Sequence, residues 1–393
     1  MKYWISYLVA AIFAVLTVAL TKFAAAHTAL MDMVYPYMSR IVMTTLADWS
    51  AGGGCIWQSV LYKAMFVFGA FVILACIFKW NLIQWCGWVL AAFSLVVMLN
   101  TGLYELNAYA SPIANDMRLQ MTSPTTTELN ETTLYFREKA NELATQVNRA
   151  GSGEPEFGTF EELAEQAGDG FKTMTYEKKS AVFAGSTVPV KKQDWFRKEG
   201  VPGYFLPVTG EAAVNPDVPV ASLPFAMCKL MAQRMCIYSD IDSDFAAFLA
   251  ASNNESVEFQ YSAYLMAYYY CYEELASIDT PTARECAAQT DAGVNELLRK
   301  DLEACRQFYS KAPEEGKRVL ADIPVEEQNT DLIVFERYTS VTQLFASWYI
   351  QEFVVPQHKE EVIPFDPFDP NQVDLSDNVN MIDRPAESSA PAA

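Results

Sequence analysis

Histidine is nearly absent from this chain: His27 and His358 are the only two in 393 residues. A histidine-built metal site or a Ser-His-Asp triad therefore has almost no material. Cysteine is better supplied, with eight, but none forms a C-x-x-C pair, so a zinc ribbon or thioredoxin-type site lacks its motif. Cys228, Cys236, Asp240 and Asp242 could in principle hold a soft metal. Cys228 and Cys236 are eight residues apart, about two helical turns, too far for both to reach one ion from an unbroken helix. Glu211, in the stretch Thr209-Gly210-Glu211, could be a pocket acid or a structural cap or ion-pair partner. Six tyrosines between Tyr261 and Tyr272 form an aromatic stripe that reads first as core packing.

The composition bounds what these residues could serve. Half of the chain is apolar (51%) and 19% is charged, with 28 basic against 48 acidic residues. A net charge of −20 argues against nucleic acid as a partner, because phosphate binding needs clustered Lys and Arg. The charge is uneven. Residues 1–103 carry Lys2, Lys22, Arg40, Lys63 and Lys79 against Asp32 and Asp48, a net +3, which leaves −23 for the remainder.

The apolar front reads as membrane spans. About 20 apolar residues cross a bilayer core as a helix, and Tyr3–Leu20, Leu61–Phe78 and Leu82–Leu103 are three such runs. Trp80, Trp85 and Trp88 stand where an interfacial belt belongs, and Lys2 and Lys79 place both flanks inside. Everything from Tyr104 onward is then extracytoplasmic. Ala24-Ala25-Ala26 offers a rival signal-cleavage reading for the first span. Outside the membrane lie Cys55, Cys228, Cys236, Cys271, Cys286 and Cys305. They could form up to three disulfides in an oxidising space, or stay as buried thiols; the sequence leaves both open.

The elements that must position these groups are mainly helical. Apolar spacing predicts helices over Glu128–Arg149 (with a Thr125/Glu128 capping box), Phe160–Ala167, Pro224–Cys236, Ser243–Ala251, Val257–Ser277, Ala292–Ser310 and Thr330–Val354. Ser239-Asp240-Ile241-Asp242 reads as an acid-rich turn. Gly and Pro punctuate 189–219, where Tyr204-Phe205-Leu206 reads as a short strand. From Pro364 to the end, the composition predicts a disordered acidic tail.

One block is specific. It runs Pro202-Gly203-Tyr204-Phe205-Leu206-Pro207-Val208-Thr209-Gly210-Glu211-Ala212-Ala213-Val214-Asn215, then Leu223-Pro224-Phe225-Ala226-Met227-Cys228, then Phe245-Ala246-Ala247-Phe248. This resembles a family of bacterial membrane-anchored proteins of unknown function with an extracytoplasmic zincin-like domain. There, a Leu-Pro-Phe segment leads into a His-Glu-x-x-His helix and a following Glu-x-x-Ala-Asn-Phe segment. Two histidines four apart share one helix face and hold zinc, the glutamate acts as general base, and an acid from the next helix completes the site. The resemblance places the first His at Lys229, the Glu at Leu230, the second His at Gln233, the third ligand at Asp240 and the glycine of the turn at Cys236. None of the three central residues is kept.

The resemblance thus implies an α+β zincin-like domain at 104–363, mainly α, behind N-terminal transmembrane helices at 1–103 and before a tail at 364–393. The residues imply that the zinc chemistry is lost. The expectation is a non-catalytic pseudopeptidase of the bacterial cell membrane, multi-pass, without cofactor or metal. It would bind a peptide or protein partner in an old cleft around Tyr204, Glu211, Asn215 and Asp242, with Lys229 in the metal's place paired to Asp240 or Asp242. The alternatives are an active metal-dependent hydrolase with rebuilt ligands and a purely structural envelope protein. A filled cleft at Lys229 and Gln233 would favour scaffolding, an open one binding.

Overall fold

The front of the chain is a set of apolar helices that leave much of their surface uncovered. The computed structural model describes residues 4–52, 57–78, 82–121, 123–173, 188–193, 197–313, 318–321 and 338–354. Helix α1 (Trp4–Ala26) runs against α5 (Leu82–Leu103). Small residues bring their backbones close. Ser6 and Ala10 of α1 and Ala91 of α5 are buried, and a Cβ on Gly87 would fall 2.1 Å from the Ser6 hydroxyl. The Tyr7 hydroxyl donates to the Ile83 carbonyl at 2.7 Å. Two helical stretches, Trp4–Ala26 and Ile83–Leu103, are long and apolar enough to cross a membrane. The third expected run lies in α4 (Trp57–Ile77), whose apolar part, Lys63–Ile77, is shorter. Ala24, offered by the sequence as part of a cleavage site, is helical and fully buried against Met31 and Leu106. The turn at Lys79-Trp80-Asn81 lies outside the described residues.

Between α1 and α4 stand two helices that the sequence reading missed, α2 (Thr28–Met33) and α3 (Tyr35–Gly52). The buried residues of α3 are Ser39, Met43, Ala47 and Ser50, at helical spacing on one face. This face meets the turn between two later strands. Ser50 donates to the Thr209 carbonyl at 2.9 Å, and a Cβ on Gly210, whose φ is +67°, would fall 2.4 Å from the Met43 carbonyl oxygen. Only glycine suits both that backbone and that approach.

After α5 come a 3₁₀ turn (Glu105–Tyr109), α6 (Ile113–Asp116), α7 (Thr126–Ala144), α8 (Phe160–Gln166) and α9 (Asp169–Thr173). Helix α7 starts on the expected Thr125/Glu128 capping box but stops at Ala144, short of Arg149. A second capping box, Thr159/Glu162, opens α8. A three-stranded sheet follows, β1 (Lys191–Lys192), β2 (Gly203–Leu206) and β3 (Glu211–Val214), in the order β1-β3-β2. Strand β3 pairs antiparallel with β2 (Tyr204 opposite Ala213) and parallel with β1 (Lys191 opposite Ala213).

The core is built on α10 (Leu223–Arg234), α11 (Asp240–Ser252) and α12 (Val257–Ser277), joined by α13 (Pro281–Ala292), α14 (Glu296–Tyr309) and α15 (Val341–Tyr349). Helices α10 and α11 are buried almost all round, as central helices must be. Phe136 of α7 meets Phe248 of α11 and Phe345 of α15 edge-on. The tyrosine stripe is core packing: Tyr261 and Tyr268 are fully buried, and Tyr264, Tyr269, Tyr270 and Tyr272 pack against the core.

The fold is therefore mainly helical with one small sheet. Residues 1–348 form one compact unit and 349–393 another. Of the second, residues 349–354 are described: Tyr349 leads into a short π-helical turn, Ile350–Val354, and its ring pairs with that of Phe353 at 5.7 Å. The acidic tail from 364, His358, and residues 330–337 of the last expected helix lie outside the described residues.

Candidate functional site

Leu223-Pro224 opens α10, with proline in the first turn where its missing N–H is not needed. The helix ends at Arg234, and the chain reverses through Met235 and Cys236 into α11. Cys236 has φ +69°, a left-handed backbone that costs a residue with a Cβ about 1–2 kcal/mol. The resemblance places a glycine at this position. Ser239 caps α11 by accepting the Asp242 N–H at 2.9 Å. The expected acid-rich turn is thus the first turn of the helix, where carboxylates favour the dipole.

This reversal brings Lys229, Gln233 and Asp240 together. The Gln233 amide donates to an Asp240 carboxylate oxygen at 3.1 Å, and the Lys229 ammonium stands 3.9 Å from the same carboxylate. The main partner of Lys229 is Asp244, one turn further along α11, at 2.8 Å. The sequence reading missed Asp244. A spacing of four from Asp240 could have shown it, since both then face α10. Asp242, the other expected partner, points elsewhere and accepts from the Tyr338 hydroxyl.

The cluster is largely buried. The Lys229 side chain is 14% exposed and Gln233 is 4% exposed, so a surface-lysine reading does not hold. Arg318 adds a second cation: its backbone N–H donates to the other Asp240 oxygen at 2.7 Å, and its guanidinium donates to the Tyr104 hydroxyl at 3.2 Å. Tyr104 in turn donates to the Gln233 carbonyl at 2.9 Å. Burial pulls the Lys229 ammonium down, but Asp244 and Asp240 outweigh it and hold Lys229 above its ordinary value. Two cations and two carboxylates compensate one another, as buried charges require. Leu230 points into the core at 2% exposure and has nothing with which to accept a proton.

The remaining expected cleft residues are not with this cluster. Glu211 is buried at the start of β3, accepting from the Trp57 N–H at 2.8 Å, Lys191 at 2.9 Å and the Thr209 hydroxyl at 3.2 Å. It fastens the sheet to the start of α4. Asn215 ties a turn together, donating to the Lys198 and Val201 carbonyls at 2.9 Å and accepting from the Asp217 N–H at 3.0 Å. Tyr204 is half-buried in β2. Asp242 lines a cavity of about 40 Å³ with Asp32, Tyr37, Asn107, Asp116 and Cys236, room for a few waters but not for a peptide.

The four residues of the rebuilt-ligand alternative are not gathered at one point. Among the described residues no group of three or more His, Cys, Asp or Glu is placed to hold a metal ion. Cys228 is buried against the Ala167 carbonyl, 3.7 Å away, while Cys236 is 3.2 Å from the Ser39 hydroxyl. Burial pushes the Cys228 thiol far up and the Cys236 thiol up to about 12, so both stand as neutral thiols. Of the two readings left open for the cysteines, the described ones take the second. Cys228, Cys236, Cys271 and Cys305 are buried free thiols, Cys286 is a half-buried one, and Cys55 lies outside the described residues. His27 sits apart, stacked on Phe23 at 4.3 Å.

Residues 4–322 match a family described as a protein of unknown function, DUF3810. The match takes in the apolar helices, the sheet and the whole Lys229 cluster. No curated protein and no solved structure matches the chain.

Proposed function

The chain belongs to the DUF3810 family, and from the filled cluster at Lys229 we propose that it is a non-catalytic, membrane-anchored scaffold domain derived from a zincin-like ancestor. One observation carries this reading. Of the three positions that the resemblance assigns to zinc ligands, 229 and 233 both reach the carboxylate of the third, Asp240, by an ion pair and a hydrogen bond. The groups found there, an ammonium, an amide and a carboxylate, satisfy one another. Leu230 offers no base, and these groups largely fill the space between α10 and α11. The left-handed Cys236 at the expected glycine supports the same alignment.

In this reading α1, α4 and α5 cross the bacterial cell membrane and the remainder of the domain is extracytoplasmic. The exposed apolar side chains of all three helices, such as Val15, Phe66 and Phe93, support it. The filled cluster favours a structural role over the capture of a peptide in the former cleft. A protein partner would meet the domain on another surface.

Elemental analysis of the purified full chain in detergent tests the reading, with thermal stability measured before and after a chelator. The expected result is no bound zinc and an unchanged melting temperature. About one zinc per chain, lost together with stability on chelation, would overturn the proposal.

A further inference from the structure

We propose that α3 lies in the plane of the membrane surface, with Met38, Ile41, Thr45 and Trp49 set into the boundary between lipid headgroups and acyl chains. The proposal rests on the membrane anchoring proposed above and goes beyond it, because α3 spans nothing. The helix has two faces. Ser39, Met43, Ala47 and Ser50 are buried against the domain. On the opposite side Met38, Ile41 and Trp49 are large apolar residues more than half exposed, and Thr45 lies between them. At about 3.6 residues per turn, positions 38, 41, 45 and 49 form a single stripe.

The depth of that stripe is fixed at both ends. The Tyr35 hydroxyl donates to the Gly102 carbonyl at 3.0 Å, and Ser39 donates to the Leu103 carbonyl. These are the last carbonyls of α5, so α3 begins where that apolar helix ends. At the other end the Trp49 ring stacks on Trp57, the first residue of α4, at 5.3 Å. Stacked tryptophans at the head of an apolar helix are what the headgroup layer selects. Helix α3 thus joins the ends of two apolar helices on one side of the molecule, and its 18 residues cover about 27 Å along that side.

The chemistry of the stripe specifies lipid rather than anionic headgroups. It contains no Lys or Arg. Arg40 is half-buried and turned over the Tyr37 ring at 5.5 Å, and the exposed charge beside the stripe is Asp48. An interfacial helix held by polybasic attraction has the opposite pattern. Insertion of α3 is therefore apolar, with little dependence on lipid charge.

The test uses the full chain in vesicles of phosphatidylcholine, with and without phosphatidylglycerol, in a background where Cys55, Cys76, Cys86 and Cys286 are replaced by Ser. Single nitroxide labels are placed through Ile41→Cys or Thr45→Cys on α3, Val15→Cys on α1 as the span control, and Glu285→Cys on α13 as the water control. Collision with oxygen, which concentrates in lipid, is compared with collision with a water-soluble nickel chelate. We expect the α3 labels to show an oxygen-to-nickel ratio several-fold above that at 285, equal in the two lipid mixtures. If 15 is lipid-facing while 41 and 45 behave like 285, the proposal fails and the anchoring stands. If 41 and 45 are shielded from both reagents, protein covers the stripe, a second copy or a partner, and the proposal again fails. If 15 itself collides freely with nickel, the anchoring fails and the proposal with it.

Discussion

Arg149 and Lys229 each carry a cation into the helical core, and each meets an aspartate at 2.8 Å. Arg149 arrives from the segment after α7 and engages several elements at once. It donates to both oxygens of Asp301 on α14 and to the Ala144 and Gly153 carbonyls, and its guanidinium stands 5.7 Å over the Tyr261 ring of α12. Tyr261 also donates to Asp301. Planar fork, carboxylate and ring fit as a clamp that a lysine could not replace. Lys229 instead offers a point charge to two acids one turn apart on a single helix, Asp240 and Asp244. The first site is specified by the shape of its cation. The second is a pair of carboxylates facing a helix, filled by a cation of undemanding geometry.

The largest expected effect falls on the clamp. Asp301→Ala leaves the Arg149 guanidinium buried without its carboxylate, and removing one partner of a buried pair costs about 3–5 kcal/mol. The shift of the urea midpoint at constant slope measures it. A cost under 1 kcal/mol would erase the contrast between the two pairs.

Lys229→Met should cost less, about 2–3 kcal/mol, because Arg318 stays beside Asp240 and the site is not wholly shut from water. Adding Asp244→Leu should recover most of that loss, giving a coupling energy of about 1–3 kcal/mol in a double-mutant cycle. Additive losses would mean that the ion pair is incidental.

Asp242 supplies the case of a buried acid with no cation paired to it among the described residues. Burial raises its carboxyl from an ordinary 3.8 to about 6, partly offset by hydrogen bonds from Tyr338 and Ser239. The folded protein therefore holds this proton more tightly than the unfolded chain does. Between about pH 4 and pH 6 stability falls as pH rises, by up to about 3 kcal/mol, and then levels. Asp242→Asn should flatten that slope while leaving stability at pH 4 nearly unchanged. Urea titrations of both proteins across this window check it; an equal slope in the two would remove Asp242 as its source.

What the sequence disclosed follows from where local signals decide. The α7 capping box, the α12 stripe and the β2 strand were legible because capping, period and turn residues sit next to the elements they specify. Helix α3 was not, because Tyr35-Pro36-Tyr37 opens it and its apolar residues lie on both faces, which blurs the period of a one-sided helix. Helix α13 was hidden for the opposite reason: only Ala283, Ala287 and Thr290 are buried, so it carries almost no apolar stripe. At the candidate site the resemblance located Lys229, Gln233 and Asp240. It directed attention to the ligand positions alone, so Asp244 escaped. Glu211 was legible as a conspicuous acid, but its partners at Lys191 and Trp57 are 20 and 154 residues away, and only the fold brings them together.

The smallest effect concerns the turn that joins α10 to α11 and so sets the spacing of the Lys229 cluster. Cys236 holds φ at +69° and places its sulfur beside Ser39, in contact with Met43 and Tyr104. Replacing it with alanine keeps the backbone strain and loses the sulfur contacts. Glycine loses the same contacts but relieves the strain, worth about 1–2 kcal/mol, against about 0.5–1 kcal/mol of added freedom in the unfolded chain. Cys236→Gly should therefore be more stable than Cys236→Ala by about 0.5–1 kcal/mol, the reverse of the usual order at a buried position. At Arg149, in the other ion pair, no such reversal is expected nearby, since the left-handed residue of that loop is already Gly153. Matched urea midpoints for the two Cys236 variants decide the point: if alanine is the more stable, the turn between α10 and α11 was not shaped around a glycine, and the case for a lost metal site weakens with it.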